Sequence, residues 1–207
     1  AVASAKDRFG GDVTVVQFPA KEGLGFEATV DVLAMKLYRY GSDRSGKYTV
    51  EEIPAELKEK AEALHEELIE KIAETDEDMM NKFFENGTLH EQDLVKGLKI
   101  ALNTRKIFPV LCSAAAGNKG AGPIMDFLVT YGPSPVDRGA VTATNLDTQQ
   151  EVPVLPAPAA PSSLFVFKTV AEQHVGELSY FRVYSGAIHT GLDLTNESNG
   201  KAERLGQ

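Results

Sequence analysis

The chain has 207 residues, 43% of them apolar, enough for one large soluble core or two small ones. Its formal charge of −9 argues against nucleic-acid binding through an overall basic field, and its single cysteine, Cys112, cannot form an internal disulfide, which favours the cytoplasm. No stretch approaches the ~18 consecutive apolar residues of a membrane helix, residues 1–7 lack the regions of a signal peptide, and the missing initiator Met points to a piece of a longer chain.

In chain order, residues 13–18, ending at Pro19, and residues 26–33, after Gly23 and Gly25, read as strands of a small sheet. Tyr38 and Tyr40 continue an extended pattern. Residues 41–46 then supply turn chemistry, and residues 47–50 return as the second arm of a hairpin. From Pro54, a good first helical residue, Leu57, Ala61, Leu64, Leu68 and Ile72 recur at spacings of three and four. That places one apolar stripe on a long helix whose other face is mostly Glu. Two more helices start at Thr75 and Thr88, each a Thr cap with an acid three residues on, ahead of Met79, Phe83 and Phe84 and of Leu94, Leu98 and Leu102. Residues 51–95 hold 15 Asp and Glu against four Lys, so this helical block carries the whole charge imbalance.

Residues 107–112 read as a short buried strand with Pro109 near its start. A small-residue loop, 113–122, leads into an apolar helical run over 123–131. Such a strand, loop and helix form ligand sites at the carboxyl edge of α/β sheets. Six of the ten prolines lie between 133 and 161, so residues 134–162 read as a Pro-rich linker. Beyond it, 164–170 and 178–184 are rich in β-formers, yet the roughly 45 residues from 163 onward are too few to close a barrel of five or six strands. The expected fold class is α/β (α+β), divided into 1–133, the linker 134–162 and an incomplete β-domain over 163–207.

None of this supplies a complete catalytic site. A P-loop needs Gly-x-x-x-x-Gly-Lys-Ser/Thr to cradle phosphates, and the chain has none. Asn118-Lys119-Gly120-Ala121 begins like a guanine-selecting Asn-Lys-x-Asp, but Ala121 offers no carboxylate. His65, His90, His174 and His189 share no metal-ligand spacing with one another or with Cys112, so they read as surface or loop residues. Cys112 ends an apolar strand without an adjoining base, the setting of an inert thiol. The acidic pairs lie on helical faces, where solvation is the simpler reading than acid–base catalysis unless a basic partner uses the surface.

The order of these segments resembles translation elongation factor G and its close paralogues. The match runs through Ile53-Pro54-Ala55-Glu56-Leu57, Ala73-Glu74-Thr75-Asp76-Glu77 and Met80-Asn81-Lys82-Phe83-Phe84-Glu85. It continues in Pro109-Val110-Leu111-Cys112-Ser113-Ala114, Asn118-Lys119-Gly120 and Pro133-Ser134-Pro135. A second match covers Phe167-Lys168-Thr169-Val170, Val175-Gly176-Glu177-Leu178 and Phe181-Arg182-Val183-Tyr184-Ser185-Gly186. The resemblance implies the C-terminal part of a P-loop GTPase domain, with an inserted helix-and-sheet subdomain over most of 1–106 and the last strand and helix of the core over 107–133. The start of an antiparallel β-barrel domain would follow. The P-loop, switch regions and true Asn-Lys-x-Asp would precede Ala1.

It also implies sites. A family Ser-Ala motif that contacts guanine falls on Ala114 and Ala115; Ala114 replaces the bracing Ser while Ser113 stands one position early, so either the register shifts by one or the loop relies on backbone contacts alone. Glu62, Glu66 and Glu70 become a contact face for the basic domain of the ribosomal stalk protein. Lys168, Arg182, Lys201 and Arg204 become small-subunit rRNA contacts. The intact protein would bind GTP or GDP with Mg and hydrolyse GTP to drive translocation; these residues alone are expected to bind no nucleotide. Self-association through an unpaired strand edge and a non-enzymatic module recruiting a basic partner both stay open.

Overall fold

The computed structural model describes residues 1–174 and 176–206 and divides into two units, residues 1–133 and 134–207. The fold is mixed α/β with several small antiparallel sheets.

The first unit opens with helix α1 (Val2–Phe9) and strand β1 (Val13–Val15). A four-stranded antiparallel sheet follows in the order β2 (Gln17–Pro19), β3 (Ala28–Asp31), β4 (Lys36–Tyr40) and β5 (Tyr48–Glu51). The single strand expected over residues 13–18 is therefore two strands in different sheets. Val16, fully buried, marks the crossing: its N–H donates to the Val110 carbonyl on one side, and its carbonyl accepts from the Val32 N–H on the other. Alternation cannot reveal this, because the crossing buries side chains on both faces, the polar Thr14 and Gln17 along with Val13, Val16 and Phe18. The hairpin of β4 and β5 forms as its turn residues require, with Tyr40 opposite Tyr48.

Helix α2 (Ala55–Ala73) buries Ala61, Leu68 and Ile72 as the stripe predicts, and Ile69 and Ala73 widen it. Pro54 sits one residue earlier than expected, at the cap. Helix α3 (Glu77–Asn86) is capped by Asp76, whose carboxylate accepts from the Asp78 N–H at 3.0 Å. Thr75 instead donates its hydroxyl to the Ile72 carbonyl at the end of α2. Helix α4 (Glu91–Asn103) likewise starts after His90 rather than Thr88, with no side-chain cap bond, and Glu91 and Asp93 favour its positive end. One continuous hydrophobic core joins Val16 at the crossing and Phe18, Val30 and Leu37 of the sheet to Leu68, Ile72 and Leu98 of the helices and to Phe127.

Strand β6 (Phe108–Val110) is shorter and more exposed than the buried strand expected over 107–112, and it pairs in parallel with β1, Val13 opposite Phe108. Helix α5 (Ala121–Tyr131) completes the unit.

The second unit contains the short helix α6 (Pro135–Arg138) and three two-stranded ribbons. These pair β7 (Val141–Thr144) with β8 (Glu151–Val154), β9 (Ser163–Glu172) with β10 (Gly176–Ser185), and β11 (Asp193–Asn196) with β12 (Lys201–Arg204). The Pro-rich stretch 134–162 holds the short helix α6 and a hairpin, with Pro153 inside a strand that pairs on one edge only. Its remainder is tied to the end of β10 by Gly186 N–H to the Ala157 carbonyl, Ser185 Oγ to the Pro161 carbonyl and Ser162 Oγ to the Ala187 carbonyl. Among the described residues of this unit only Ser185 is buried, while Phe165, Phe167 and Tyr180 stand open to solvent.

Candidate functional site

The loop that carries the predicted guanine-side residues is closed by its own backbone. Ala114 N–H donates to the Lys119 carbonyl at 2.8 Å, and Lys119 N–H returns a bond to the Ala114 carbonyl at 3.2 Å. Inside this closure Ala115, Ala116 and Gly117 make one tight turn, with Gly117 N–H on the Ala114 carbonyl and Asn118 N–H on the Ala115 carbonyl. Asn118 and Gly120 both adopt the left-handed region, at φ 51° and 84°. Ser113 and Ala115 are exposed and Ala114 is half-buried. The tip thus presents small side chains, while the amides of Ala114, Gly117, Asn118 and Lys119 are spent on closing the loop itself.

The side chains of Asn118 and Lys119 are committed to other tasks. Asn118 Nδ2 donates to the Arg44 carbonyl at 3.2 Å, and Lys119 Nζ donates to the Phe26 carbonyl at 3.0 Å. Both staple this loop to the turns of the four-stranded sheet. Cys112, just before the loop, donates its thiol to the Gln17 carbonyl at 3.2 Å. Burial first, and then the charge of Glu22, push that thiol above its ordinary pKa and make it a poor nucleophile.

Glu62, Glu66 and Glu70 are all exposed and lie one turn apart on α2, with Glu59 and Glu74 extending the row in either direction. Lys58 meets Glu62 at 3.8 Å, whereas Glu66 and Glu70 have no ion pair among the described residues. The row is therefore a largely uncompensated acidic face. Glu67, turned aside, is taken by Lys6 and Lys71.

The four predicted basic contacts divide between two ribbons. Lys168 and Arg182 belong to β9 and β10, where Lys168 lies over the Tyr180 ring at 5.9 Å and Arg182 over the Tyr184 ring at 5.7 Å. Lys201 and Arg204 sit at opposite ends of β12, three positions apart, and so point to opposite faces of their ribbon.

Sequence reading overlooked a cavity of about 470 Å³ in the first unit, walled by Tyr38, Tyr48, Phe127 and Tyr131 with Asp31, Glu91 and Asp126 around them. Its residues come from β3, β4, β5, α4 and α5, and no local pattern joins them. Among the described residues no cluster of His, Cys, Asp and Glu could hold a metal ion, and no helix is long and apolar enough to cross a membrane.

No protein-family model matches the chain. A crystal structure of a protein from Thermus thermophilus resembles it with a TM-score of 0.77 and 24% sequence identity, over 98% of this chain. The chain spans only 27% of that protein's length, and at this identity the likeness is one of fold.

Proposed function

We propose that these residues are part of a ribosome-associated translational GTPase of the elongation factor G type. They comprise the inserted subdomain, the end of the GTPase core and the start of a β-barrel domain. The observation that carries the reading is the parallel pairing of β1 with β6 around the whole of the four-stranded sheet and helices α2, α3 and α4. A subdomain inserted between neighbouring strands of a parallel core has this topology, and the matching motif runs fall on it in order. Exposed apolar residues support it further. Phe9 on α1 and Phe108 on β6 lie with ring centroids 6.1 Å apart beside the parallel pair and are exposed, as are Met125, Leu128 and Val129 on α5, whereas parallel strands are ordinarily covered on both faces.

Within these residues only the 113–120 loop corresponds to a nucleotide contact. With no P-loop among them and with Asn118 and Lys119 committed to structural carbonyls, they do not amount to a GTP site, and no chemical step is assigned to them. The acidic face of α2 is the surface for the basic stalk-protein domain, and Lys168, Arg182, Lys201 and Arg204 are the rRNA-facing cations of the barrel.

Two experiments bear on this reading. The coding sequence before Ala1 is expected to encode Gly-x-x-x-x-Gly-Lys-Thr and Asn-Lys-x-Asp; a start codon at Ala1 would end the GTPase interpretation. Reversing Glu62, Glu66 and Glu70 to Lys is expected to slow association with the stalk-protein domain by about tenfold or more at low salt and to flatten its salt dependence. An unchanged stopped-flow association rate counts against the stalk contact. The uncompensated acidic row also suits a second reading, a module that recruits a basic protein without a nucleotide role. Stalk binding together with a start codon at Ala1 would favour it.

A further inference from the structure

We propose that the cavity between the four-stranded sheet and helices α4 and α5 is a binding site for an organic cation, with a guanidinium or alkylammonium head. Its volume of about 470 Å³ falls within the ~300–1,000 Å³ range of small-molecule sites. Its walls supply two tilted aromatic pairs. Tyr38 and Tyr48 come from the strands with ring centroids 5.0 Å apart, and Phe127 and Tyr131 come from α5, also 5.0 Å apart. Aromatic faces attract cations through the ring quadrupole.

The formal charges along the lining are all of one sign. β3 contributes Asp31, α4 contributes Glu91 and α5 contributes Asp126, and no Lys, Arg or His lines the cavity. The nearby bases of β4 are engaged elsewhere, Lys36 with Glu52 and Arg39 with Glu51. Asp31 is fixed in place, one oxygen accepting from the Ala34 N–H at 2.8 Å and the other from Gln17 Nε2 at 3.2 Å. Tyr48 Oη reaches Asp126 at 3.4 Å. Burial, and then the neighbouring carboxylates, hold the phenols of Tyr38, Tyr48 and Tyr131 above their ordinary pKa, so these groups stay neutral and hydrogen-bond without adding charge. A concave site with aromatic walls and carboxylates of one sign concentrates field and favours a cation over a neutral or anionic ligand.

This site is separate from the 113–120 loop, none of whose residues lines it, and from the exposed acids of α2. The cation is either a free polyamine-like molecule or the side chain of a basic peptide. Both share the head-group chemistry.

The test is a titration of the 207-residue protein followed through the aromatic NMR signals of Tyr38, Tyr48, Phe127 and Tyr131. Agmatine is the free cation, acetyl-Gly-Arg-Gly-amide the peptide, and butylurea the neutral control. Saturable shifts at these rings with agmatine or the peptide, and none with butylurea, are expected, and whichever cation binds more tightly identifies the source. Glu91→Gln and Asp126→Asn, both at exposed positions, should each weaken binding about fivefold while lowering the melting temperature by no more than about 4 °C. The triple change of Glu62, Glu66 and Glu70 to Gln should leave it intact. Equal binding of butylurea, no saturable shift, or loss of binding in the triple variant would each overturn the proposal.

Discussion

Truncating Leu98 to Ala is expected to destabilise the first unit by about 3–5 kcal/mol, lowering its melting temperature by roughly 10 °C. Leu98 is fully buried on α4 within the core shared with α2 and the sheet. The neighbouring Gly97 explains why the vacancy should persist. A Cβ at Gly97 would lie 2.6 Å from Cγ2 of Ile72 and 3.4 Å from Cγ and Sδ of Met79, so α4 is already at its closest approach to α2 and α3. Elements in such contact cannot move inward to fill the space. A cavity term therefore adds to the lost transfer energy. Thermal unfolding followed by circular dichroism at 222 nm, which reports mainly on α2, α3 and α4, gives the number. The exposed Gln92→Ala should cost less than about 0.5 kcal/mol. A loss below about 1 kcal/mol for Leu98→Ala would contradict the packing described.

The second large effect is expected at Gly120. Its φ of 84° is unfavourable for any residue with a Cβ, and that atom would stand 2.5 Å from the Cys112 carbonyl oxygen and 3.1 Å from Ser113 Cα. Both obstacles are backbone, so the clash cannot be relieved by rotating a side chain. Gly120→Ala should cost about 2–4 kcal/mol and separate the two ends of the 113–120 loop. The sensitive readout is hydrogen exchange at the Ala114 and Lys119 amides, which should quicken well beyond the change in global stability. Gly117→Ala is the matched control. It lacks a positive φ, its nearest neighbour is the flexible Lys119 side chain at 3.6 Å, and it should be nearly neutral.

What the sequence discloses depends on whether the governing contact is local. The apolar stripe of α2 is legible because Leu57, Ala61, Leu64, Leu68 and Ile72 satisfy one helical period, and the β4–β5 hairpin because its turn residues are grouped. The cap of α3 is only half legible, since Thr75 and Asp76 both qualify and the choice falls to the buried Ile72 carbonyl that claims the Thr75 hydroxyl. The change of sheet at Val16 leaves no trace in the pattern. The hairpin within residues 134–162 is not legible because proline density marks strand edges as well as linkers, and Pro153 occupies such an edge. In the candidate loop, the small residues and Gly120 signal a tight turn. The stapling roles of Asn118 and Lys119 depend on partners at Arg44 and Phe26, far away in the chain. The aromatic cavity is invisible for the same reason, its walls being drawn from five elements.

The pairing of β1 with β6 also sets an order of assembly. Bringing Val15 beside Val110 closes a loop of about 95 residues, which for a flexible chain costs roughly 4 kcal/mol of entropy before three-residue strands gain anything. If the sheet and helices between them fold first, the loop ends arrive already close and most of that cost has been met. The inserted segment then acts as the nucleus, and the parallel pair is the last structure gained and the first lost. Native-state exchange should accordingly show the β1 and β6 amides opening at lower free energy than those of β3 and β4.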